Sequence, residues 1–357
     1  MSNDSAQAVL DARQLKHAKK GILAGVLSGV LWGASGTILY LALNYAPFTN
    51  PQYASTTDEF NLPYVAIIVA MSLCGALMHD TFAAIWVFIN NVRAGKFKEY
   101  GRTLRTKPGK MVCLGAILGG PIGMSGYLLG ITFVSSAYAL PITAAYPALA
   151  AVLATFIFRE RNPARVWIGV VLCIVGSFLV YYAPMGEGQE KDVYFAIGMI
   201  LSTLACVGWA SEGLLSTYGM DMLDPDIALG IREAVSAIAY FIFVLPIVTL
   251  YMSKFGPTPI WEMFVGATRS SALPIYAFAG FLGGFSYIYW YRALNMTGVA
   301  RAMALNVTYA LWGVLFGALF TPLDPTRYLY MGAGSIAIGA ILVSANPREL
   351  FKLRETK

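Results

Sequence analysis

The chain reads Phe158-Arg159-Glu160-Arg161-Asn162-Pro163-Ala164-Arg165 between two apolar runs, and Phe320-Thr321-Pro322-Leu323-Asp324-Pro325-Thr326-Arg327 between two others. Both stretches follow the pattern Phe-x-x-x-(Asn/Asp)-Pro-x-Arg. Two glycines seven residues apart follow each stretch: Gly169 and Gly176, then Gly332 and Gly339. The second half of the chain therefore repeats the first, and the repeated unit consists of apolar segments.

The composition is that of a membrane protein. Of the 357 residues, 57% are apolar and 12% are charged, whereas soluble domains carry about 25% charged residues. A helix needs about 20 apolar residues to cross a bilayer. Ten apolar runs meet this requirement and predict ten transmembrane helices at about 21–45, 64–91, 110–131, 136–158, 164–184, 193–217, 227–252, 272–293, 299–320 and 328–345. The net charge of +6 comes from a few loops, so it does not indicate nucleic-acid binding.

The sequence thus predicts an all-α polytopic membrane protein of ten transmembrane helices, arranged as two inverted five-helix repeats. With five helices per half, the second half enters the membrane in the opposite direction. The predicted parts are a cytoplasmic N-terminal segment (1–20), a first five-helix repeat (21–184), an external linker (185–192), a second five-helix repeat (193–345) and a cytoplasmic tail (346–357). Basic residues in loop 92–109 and at both ends of the chain predict that both termini are cytoplasmic. The expected location is the plasma (inner) membrane.

Several features in this order resemble the ten-helix exporters of the drug/metabolite transporter superfamily, which carry the EamA-type repeat. They are a Trp32-Gly33 pair in the first helix, Pro147 within the fourth, Glu160 just after it, and spaced glycines along the fifth. The resemblance covers about residues 21–345. It implies transport of small metabolites, amino acids or organic cations, often by exchange or proton coupling. The second half departs from the pattern, since Pro322-Leu323 replaces the loop Glu and Ala310 or Leu311 replaces the Pro.

Ionisable residues at membrane depth are the strongest indication of a site, because each is costly unless it faces a cavity or a partner. Glu212 lies deep in the sixth helix and shares a face with Trp209. A carboxylate beside an indole ring suits an organic cation. The alternative is a Glu near the helix end that water reaches from the cytoplasm.

The second and seventh helices contain the other ionisable candidates. Asp80 could bind a cation or a proton, or make a structural hydrogen bond; His79 is a packing histidine or a coupling group. The repeat alignment pairs these two residues with Arg232 and Glu233. Because neighbours on a helix point about 100° apart, Arg232 and Glu233 are not expected to pair with each other. Arg232 is expected to reach toward the cytoplasm, and Glu233 to face the cavity.

Aromatic residues and two further positions complete the candidate site. Trp32 and Trp209 are aligned between the repeats and predict two walls of one central pocket, with Tyr287 and Tyr291 on a common face of the eighth helix. The alternative is an aromatic belt at the membrane surface. Pro147 should bend the fourth helix, which could act as a gate. Arg301 is expected to anchor at the cytoplasmic interface or to bind a substrate carboxylate.

These features favour a secondary active transporter of a small cationic or zwitterionic metabolite, such as a quaternary amine or an amino acid, working by alternating access with proton coupling or exchange. A channel or transporter for inorganic cations is a second interpretation, and a membrane-embedded enzyme or receptor is a third. The sequence has no P-loop and no Ser/His/Asp constellation, and its two histidines have no ligand-spaced partner, so we expect no catalytic residues, metal or cofactor. The expected partners are the substrate and the lipid bilayer, and a homodimer is compatible with this class.

Overall fold

The structure, a computed structural model, describes residues 3–43, 64–157, 163–183, 193–220, 222–252, 259–297, 299–321 and 325–344. All regular secondary structure in these ranges is helical. The α-helices are α1 Asn3–Ala42, α2 Tyr64–Arg93, α3 Tyr100–Leu104, α4 Lys107–Ile117, α5 Ser125–Val134, α6 Ser136–Thr143, α7 Tyr146–Ile157, α8 Ala164–Tyr182, α9 Val193–Met220, α10 Pro225–Ala239, α11 Leu245–Met252, α12 Pro259–Thr268, α13 Ala272–Thr297, α14 Val299–Asn306, α15 Tyr309–Phe320 and α16 Arg327–Ser344. A 3₁₀ turn covers Phe97–Glu99, and π-helical segments cover Leu118–Met124 and Tyr240–Val244.

Within the described ranges, nine helical stretches are long and apolar enough to cross a membrane, and each falls on one of the ten predicted segments. The tenth segment corresponds to a shorter apolar helix, Arg327–Val343. These apolar helices confirm the prediction of an all-α polytopic membrane protein. A helix suits the lipid interior because its backbone hydrogen bonds are satisfied within the segment itself. The count of ten and the repeats as a whole stay predictions.

Two boundaries differ from the sequence-based expectation. Helix α1 begins at Asn3 and runs through the polar segment that precedes the first apolar run. Helix α12 is an additional ten-residue helix before α13, too short to span a bilayer. Helix α1 is longer than expected because polar residues also form helices, which hydropathy does not detect, whereas the ten residues of α12 are too few to be recognised as a span. The linker 185–192, the tail 346–357 and Glu160 lie outside the described residues.

The fourth and ninth spans are each interrupted by a two-residue turn. The fourth breaks at residues 144–145 between α6 and α7, and the ninth breaks at residues 307–308 between α14 and α15. Pro147 lies in the first turn of α7, where the missing donor is tolerated. Ala310 takes the equivalent place in the ninth span, which nevertheless breaks. The interruption near Pro147 therefore does not depend on proline alone.

The glycines that follow the two matching stretches pack against each other. A Cβ built on Gly169 would lie 2.5 Å from the carbonyl oxygen of Gly339, and one on Gly176 would lie 2.8 Å from that of Gly332. Helices α8 and α16 thus cross in antiparallel directions with their backbones in contact, which small residues permit. Antiparallel packing of the fifth and tenth spans is the relation that inverted repeats require.

Helices of the two halves interleave around the centre of the bundle. Helix α1 packs along α13, while α9 packs on α4 and α5. Helix α10 packs on α2 and α4. Because α1, α9 and α10 each pack against helices of the other half, side chains from both halves meet in the interior.

An ionic network joins the two halves at one end of the bundle. Lys96 Nζ lies 2.9 Å from Asp224 and 2.8 Å from Asp226, and Arg292 Nε donates to Asp226 at 3.1 Å. Asp224 also caps α10 by accepting hydrogen bonds from its first backbone amides. Partial burial alone would lower the pKa of Lys96, but the hydrogen bonds from Lys96 to Asp226 and Asp224 outweigh it and raise that pKa.

Candidate functional site

Five ionisable side chains meet in the middle of the bundle. They are His79 and Asp80 from α2, Glu212 from α9, and Arg232 and Glu233 from α10. Each is at most 2% exposed. Buried charges are tolerated only when they are paired and hydrogen-bonded, so their partners define the site.

Glu212 and Arg232 form a two-point ion pair. Arg232 Nε donates to Glu212 Oε1 at 2.7 Å, and Arg232 Nη2 donates to Glu212 Oε2 at 3.1 Å. Arg232 Nη2 also donates to the Tyr287 hydroxyl at 3.1 Å, and Arg232 Cζ lies 4.5 Å from the centroid of the Tyr287 ring. The guanidinium is therefore held by a carboxylate and an aromatic ring together, in a geometry typical of strong arginine pairs.

Two expectations about α10 are wrong. Arg232 was expected to reach toward the cytoplasm, but it is 2% exposed and points to Glu212. It was also not expected to pair with its neighbour, yet Arg232 Nη1 donates to Glu233 Oε1 at 3.2 Å. The long arginine side chain bends back far enough to overcome the angle between adjacent helix positions. Glu233 Oε2 is buried and has no hydrogen-bond partner among the described residues.

Asp80 has a separate set of partners. Its Oδ2 accepts a hydrogen bond of 2.5 Å from Ser236, and its Oδ1 lies 3.0 Å from His79 Nδ1. His79 Nε2 lies 3.4 Å from the Ser35 hydroxyl, which donates to the carbonyl oxygen of Ala279 at 3.0 Å. Both oxygens of Asp80 are thus satisfied by side chains from α2 and α10.

An aromatic cavity adjoins the ionic cluster. Its volume is about 30 Å³. It is lined by Trp32, Tyr146, Trp209, Glu212, Ser286, Tyr287, Trp290, Asn306 and Tyr309. The ring centroids of Trp32 and Trp209 are 5.5 Å apart in an edge-to-face arrangement, and those of Trp32 and Tyr287 are 5.3 Å apart. Glu212 is the one ionisable carboxyl group on the described walls of this cavity.

A glycine pair in the third span makes room for Glu212. A Cβ on Gly119 would overlap the Glu212 carboxylate, and one on Gly120 would overlap the Ser236 hydroxyl. Gly119 also accepts a hydrogen bond from Trp209 Nε1 at 3.1 Å. Both glycines lie in the π-helical segment Leu118–Met124, and such segments are frequent at functional sites.

Aligned positions of the two halves make matching contacts. Ser35 aligns with Glu212 and His79 aligns with Arg232 in the sequence. The structure pairs Ser35 with His79 at 3.4 Å and Glu212 with Arg232 at 2.7 Å. A Cβ on Gly283 would lie 3.4 Å from Ser35 Oγ, which is the counterpart of the overlap between Gly119 and Glu212. The same pair of helix positions therefore holds a hydroxyl–imidazole contact in one half and a carboxylate–guanidinium pair in the other.

Not every predicted site residue reaches the cavity. Tyr291 is fully buried and packs on Tyr287 and Trp290, with ring centroids 6.5 Å and 5.4 Å away. Asp80, His79 and Glu233 lie behind the cavity wall rather than on it. Pro147 follows the cavity residue Tyr146 in the chain. The side chain of Arg301 lies outside the described residues. Whether these residues bind or gate a substrate stays a prediction.

Five cavity residues escaped the sequence-based prediction: Tyr146, Ser286, Trp290, Asn306 and Tyr309. Ser286 donates to the carbonyl oxygen of Ser28 at 2.8 Å, and Asn306 Nδ2 donates to the Ser28 hydroxyl at 2.6 Å. Trp290, which lies between Tyr287 and Tyr291 on the eighth span, also lines the cavity. The one available signal was that Asn306 is an amide in an apolar run; it directly precedes the break at residues 307–308 in the ninth span.

These features define a multi-pass helical membrane protein with a buried ionic site and an aromatic cavity. The sequence profile of the EamA-like transporter family matches residues 60–182 and 196–345. The chain therefore belongs to the EamA-like transporter family, as the resemblance predicted. This is a family of membrane transporters of small molecules rather than of enzymes.

Two similar proteins accompany the family match. Protein LicB of Haemophilus influenzae is 28% identical over 319 residues, which cover 87% of this chain and 93% of that protein. A solved chain, described as the crystal structure of a protein, is 15% identical with a TM-score of 0.47, and the alignment covers 91% of this chain and 96% of that chain.

Proposed function

We propose that the chain is a secondary active transporter of a small organic cation, of the quaternary-amine class or a zwitterion with a cationic amine, in the plasma membrane with both termini in the cytoplasm. The observation that supports this proposal is the cavity of three tryptophans and three tyrosines with one carboxylate, Glu212. A cage of aromatic faces attracts a quaternary ammonium ion, and each favourable face contributes about 0.5–2 kcal/mol.

The charge balance of the cluster also favours a cation. Asp80, Glu212 and Glu233 supply three carboxyl groups, and Arg232 supplies one fixed positive charge beside them. An anionic substrate would meet more acidic than basic groups at this depth. A zwitterion could place its amine near Glu212 and its polar end near Asn306 and Ser286, on another part of the cavity wall.

The narrow cavity fits a substrate-free stage of alternating access. Its volume is about 30 Å³, and in this proposal the helices part before substrate enters. The interrupted fourth and ninth spans carry Tyr146, Asn306 and Tyr309 into the cavity wall. Movement at these two turns would open the site toward one face of the membrane, as broken helices do in other transporters.

Flux in proteoliposomes tests the proposal. Purified protein is reconstituted, and uptake of labelled quaternary amines and amino acids is measured with and without a proton gradient or unlabelled internal substrate. We expect saturable uptake that Glu212→Gln reduces to the level of empty vesicles. The matched control is Glu99→Gln, because Glu99 lies in the turn after α2 and pairs with Arg102 outside the spans.

Two outcomes would contradict the proposal. Uptake that is equal in Glu212→Gln and in the control would remove Glu212 from the site. Continuous, non-saturating current carried by inorganic cations would replace the transporter with a channel. Stimulation by a proton gradient would identify coupling, whereas stimulation by internal substrate alone would identify exchange.

A further inference from the structure

Arg232 makes the contacts that a bound organic cation would need. Both oxygens of Glu212 accept hydrogen bonds from its guanidinium, at 2.7 and 3.1 Å. The same guanidinium lies 4.5 Å from the centroid of the Tyr287 ring. Glu212 and Tyr287 are also the carboxylate and one of the aromatic rings on the cavity wall. A substrate cation and Arg232 therefore compete for the same two groups.

Glu233 provides a second place for the guanidinium. Arg232 Nη1 already donates to Glu233 Oε1 at 3.2 Å. Glu233 Oε2 is buried and has no hydrogen-bond partner among the described residues. A buried carboxylate oxygen without a partner is costly, and a two-point pair with Arg232 would satisfy it. Asp80 is less available, because Ser236 and His79 already bind its two oxygens.

We infer that Arg232 is an internal substitute for the substrate and exchanges carboxylates during transport. In the state without substrate, Arg232 pairs with Glu212. When an organic cation enters, it takes Glu212 and the face of Tyr287, and the guanidinium moves to a two-point pair with Glu233. This inference rests on the proposed function, and it makes Arg232 a positioning residue and Glu233 its acceptor.

The exchange has a physical advantage. Removing one partner from a buried pair leaves an uncompensated charge, which is strongly unfavourable. With Arg232 able to move between two carboxylates, neither Glu212 nor Arg232 is left unpaired at either stage. The empty protein can then return through the membrane with Glu212 paired to Arg232, and the loaded protein returns with Glu212 paired to the substrate and Arg232 paired to Glu233.

Binding of tetramethylammonium to variants of the purified, full-length protein tests the exchange. This probe has no hydrogen-bonding group, so it competes with Arg232 only for charge and for the aromatic face. Glu233→Gln removes the acceptor, and we expect its apparent Kd to rise at least about tenfold, equivalent to the loss of one hydrogen bond between charged groups. Glu233→Asp keeps a carboxylate and should bind within a few-fold of the wild type.

The second half of the test is a double-mutant cycle. In the presence of Arg232→Gln there is no guanidinium to relocate, so Glu233→Gln should no longer weaken binding. The double variant Arg232→Gln/Glu233→Gln should bind tetramethylammonium at least as tightly as the wild type. If Glu233 instead acts only through its negative charge, Glu233→Gln weakens binding equally in both backgrounds, and the exchange is overturned.

Two further outcomes separate the exchange from the proposed function. Binding to the wild type that Glu212→Gln abolishes and Glu233→Gln leaves unchanged overturns the exchange alone. Absence of binding to both the wild type and the double variant overturns the cation-binding site and the exchange with it. If Glu233→Gln does not yield monodisperse protein, Arg232→Gln decides: tighter binding than the wild type supports competition, and weaker or equal binding refutes it.

Discussion

Replacing Gly339 by alanine should weaken the crossing of α8 and α16. The added Cβ would lie 2.6 Å from the carbonyl oxygen of Gly169 and 2.9 Å from the backbone nitrogen of Cys173, whereas ordinary contact begins near 3.4 Å. The helices must therefore separate by about 0.8 Å, since backbone atoms cannot rotate away. Overpacking of this kind costs about 1–3 kcal/mol, while alanine in place of glycine gains up to about 1 kcal/mol of helix propensity.

The matched control is Gly334→Ala on the same helix, because a Cβ at Gly334 meets nothing within 4 Å. We expect this control to be as stable as the wild type or slightly more stable. Apparent unfolding temperatures of purified protein in one detergent, at one scan rate, measure the difference. Equal unfolding temperatures for Gly339→Ala and Gly334→Ala would refute the close backbone contact. Adding Gly169→Ala to Gly339→Ala should cost less than the sum of the two, because both substitutions open the same crossing.

Three other substitutions have definite expected outcomes. Gly119→Ala places a methyl group on the Glu212 carboxylate, so the variant should stay monodisperse but show an apparent KM for proteoliposome uptake that is at least about tenfold higher. This change is equivalent to about 1.4 kcal/mol of binding free energy. An unchanged KM would contradict the contact. The pKa of Lys96 is raised, so its ion pairs stabilise the fold fully below the ordinary lysine pKa of about 10.4, and this stability is lost as pH rises through the higher folded-state pKa. Because Lys96 is partly exposed, Lys96→Gln should lower the free energy of unfolding by no more than about 1 kcal/mol at pH 7 and low salt, and by less at high salt. Thermal unfolding measures both effects. Pro147→Ala should leave uptake and the unfolding temperature close to wild type, since the ninth span breaks with Ala310 in the equivalent place; a large loss of uptake would indicate that Pro147 itself is needed for the break in the fourth span.

Part of the candidate site could be predicted from the sequence because it follows from repetition and depth. Trp32 and Trp209 occupy aligned positions, and both line the cavity. Glu212 is a carboxyl group in an apolar helix, which already indicated that it needed a partner. Depth identifies such a residue because lipid offers no hydrogen bonds, whatever the arrangement of neighbouring helices.

The partner of Glu212 could not be predicted. Arg232 lies next to Glu233 in the chain, and its distance from Glu212 in the sequence gave no indication that the two would meet. Their contact depends on how α9 and α10 pack, and on the space that Gly119 leaves between them. Helix periodicity describes one helix at a time, so it wrongly excluded the contact between Arg232 and Glu233.

The sequence by itself determined the apolar spans and the glycines that follow the two matching stretches, since both depend on residue type and spacing along the chain. Only the tertiary structure decided that Gly169 lies on Gly339 and Gly176 on Gly332, and that Arg232 neutralises the carboxylate of the aromatic cavity. The reason is physical: lipid fixes which segments become helices, because each must satisfy its own backbone hydrogen bonds. Contacts between helices depend instead on packing of small residues and on pairing of buried charges across different segments.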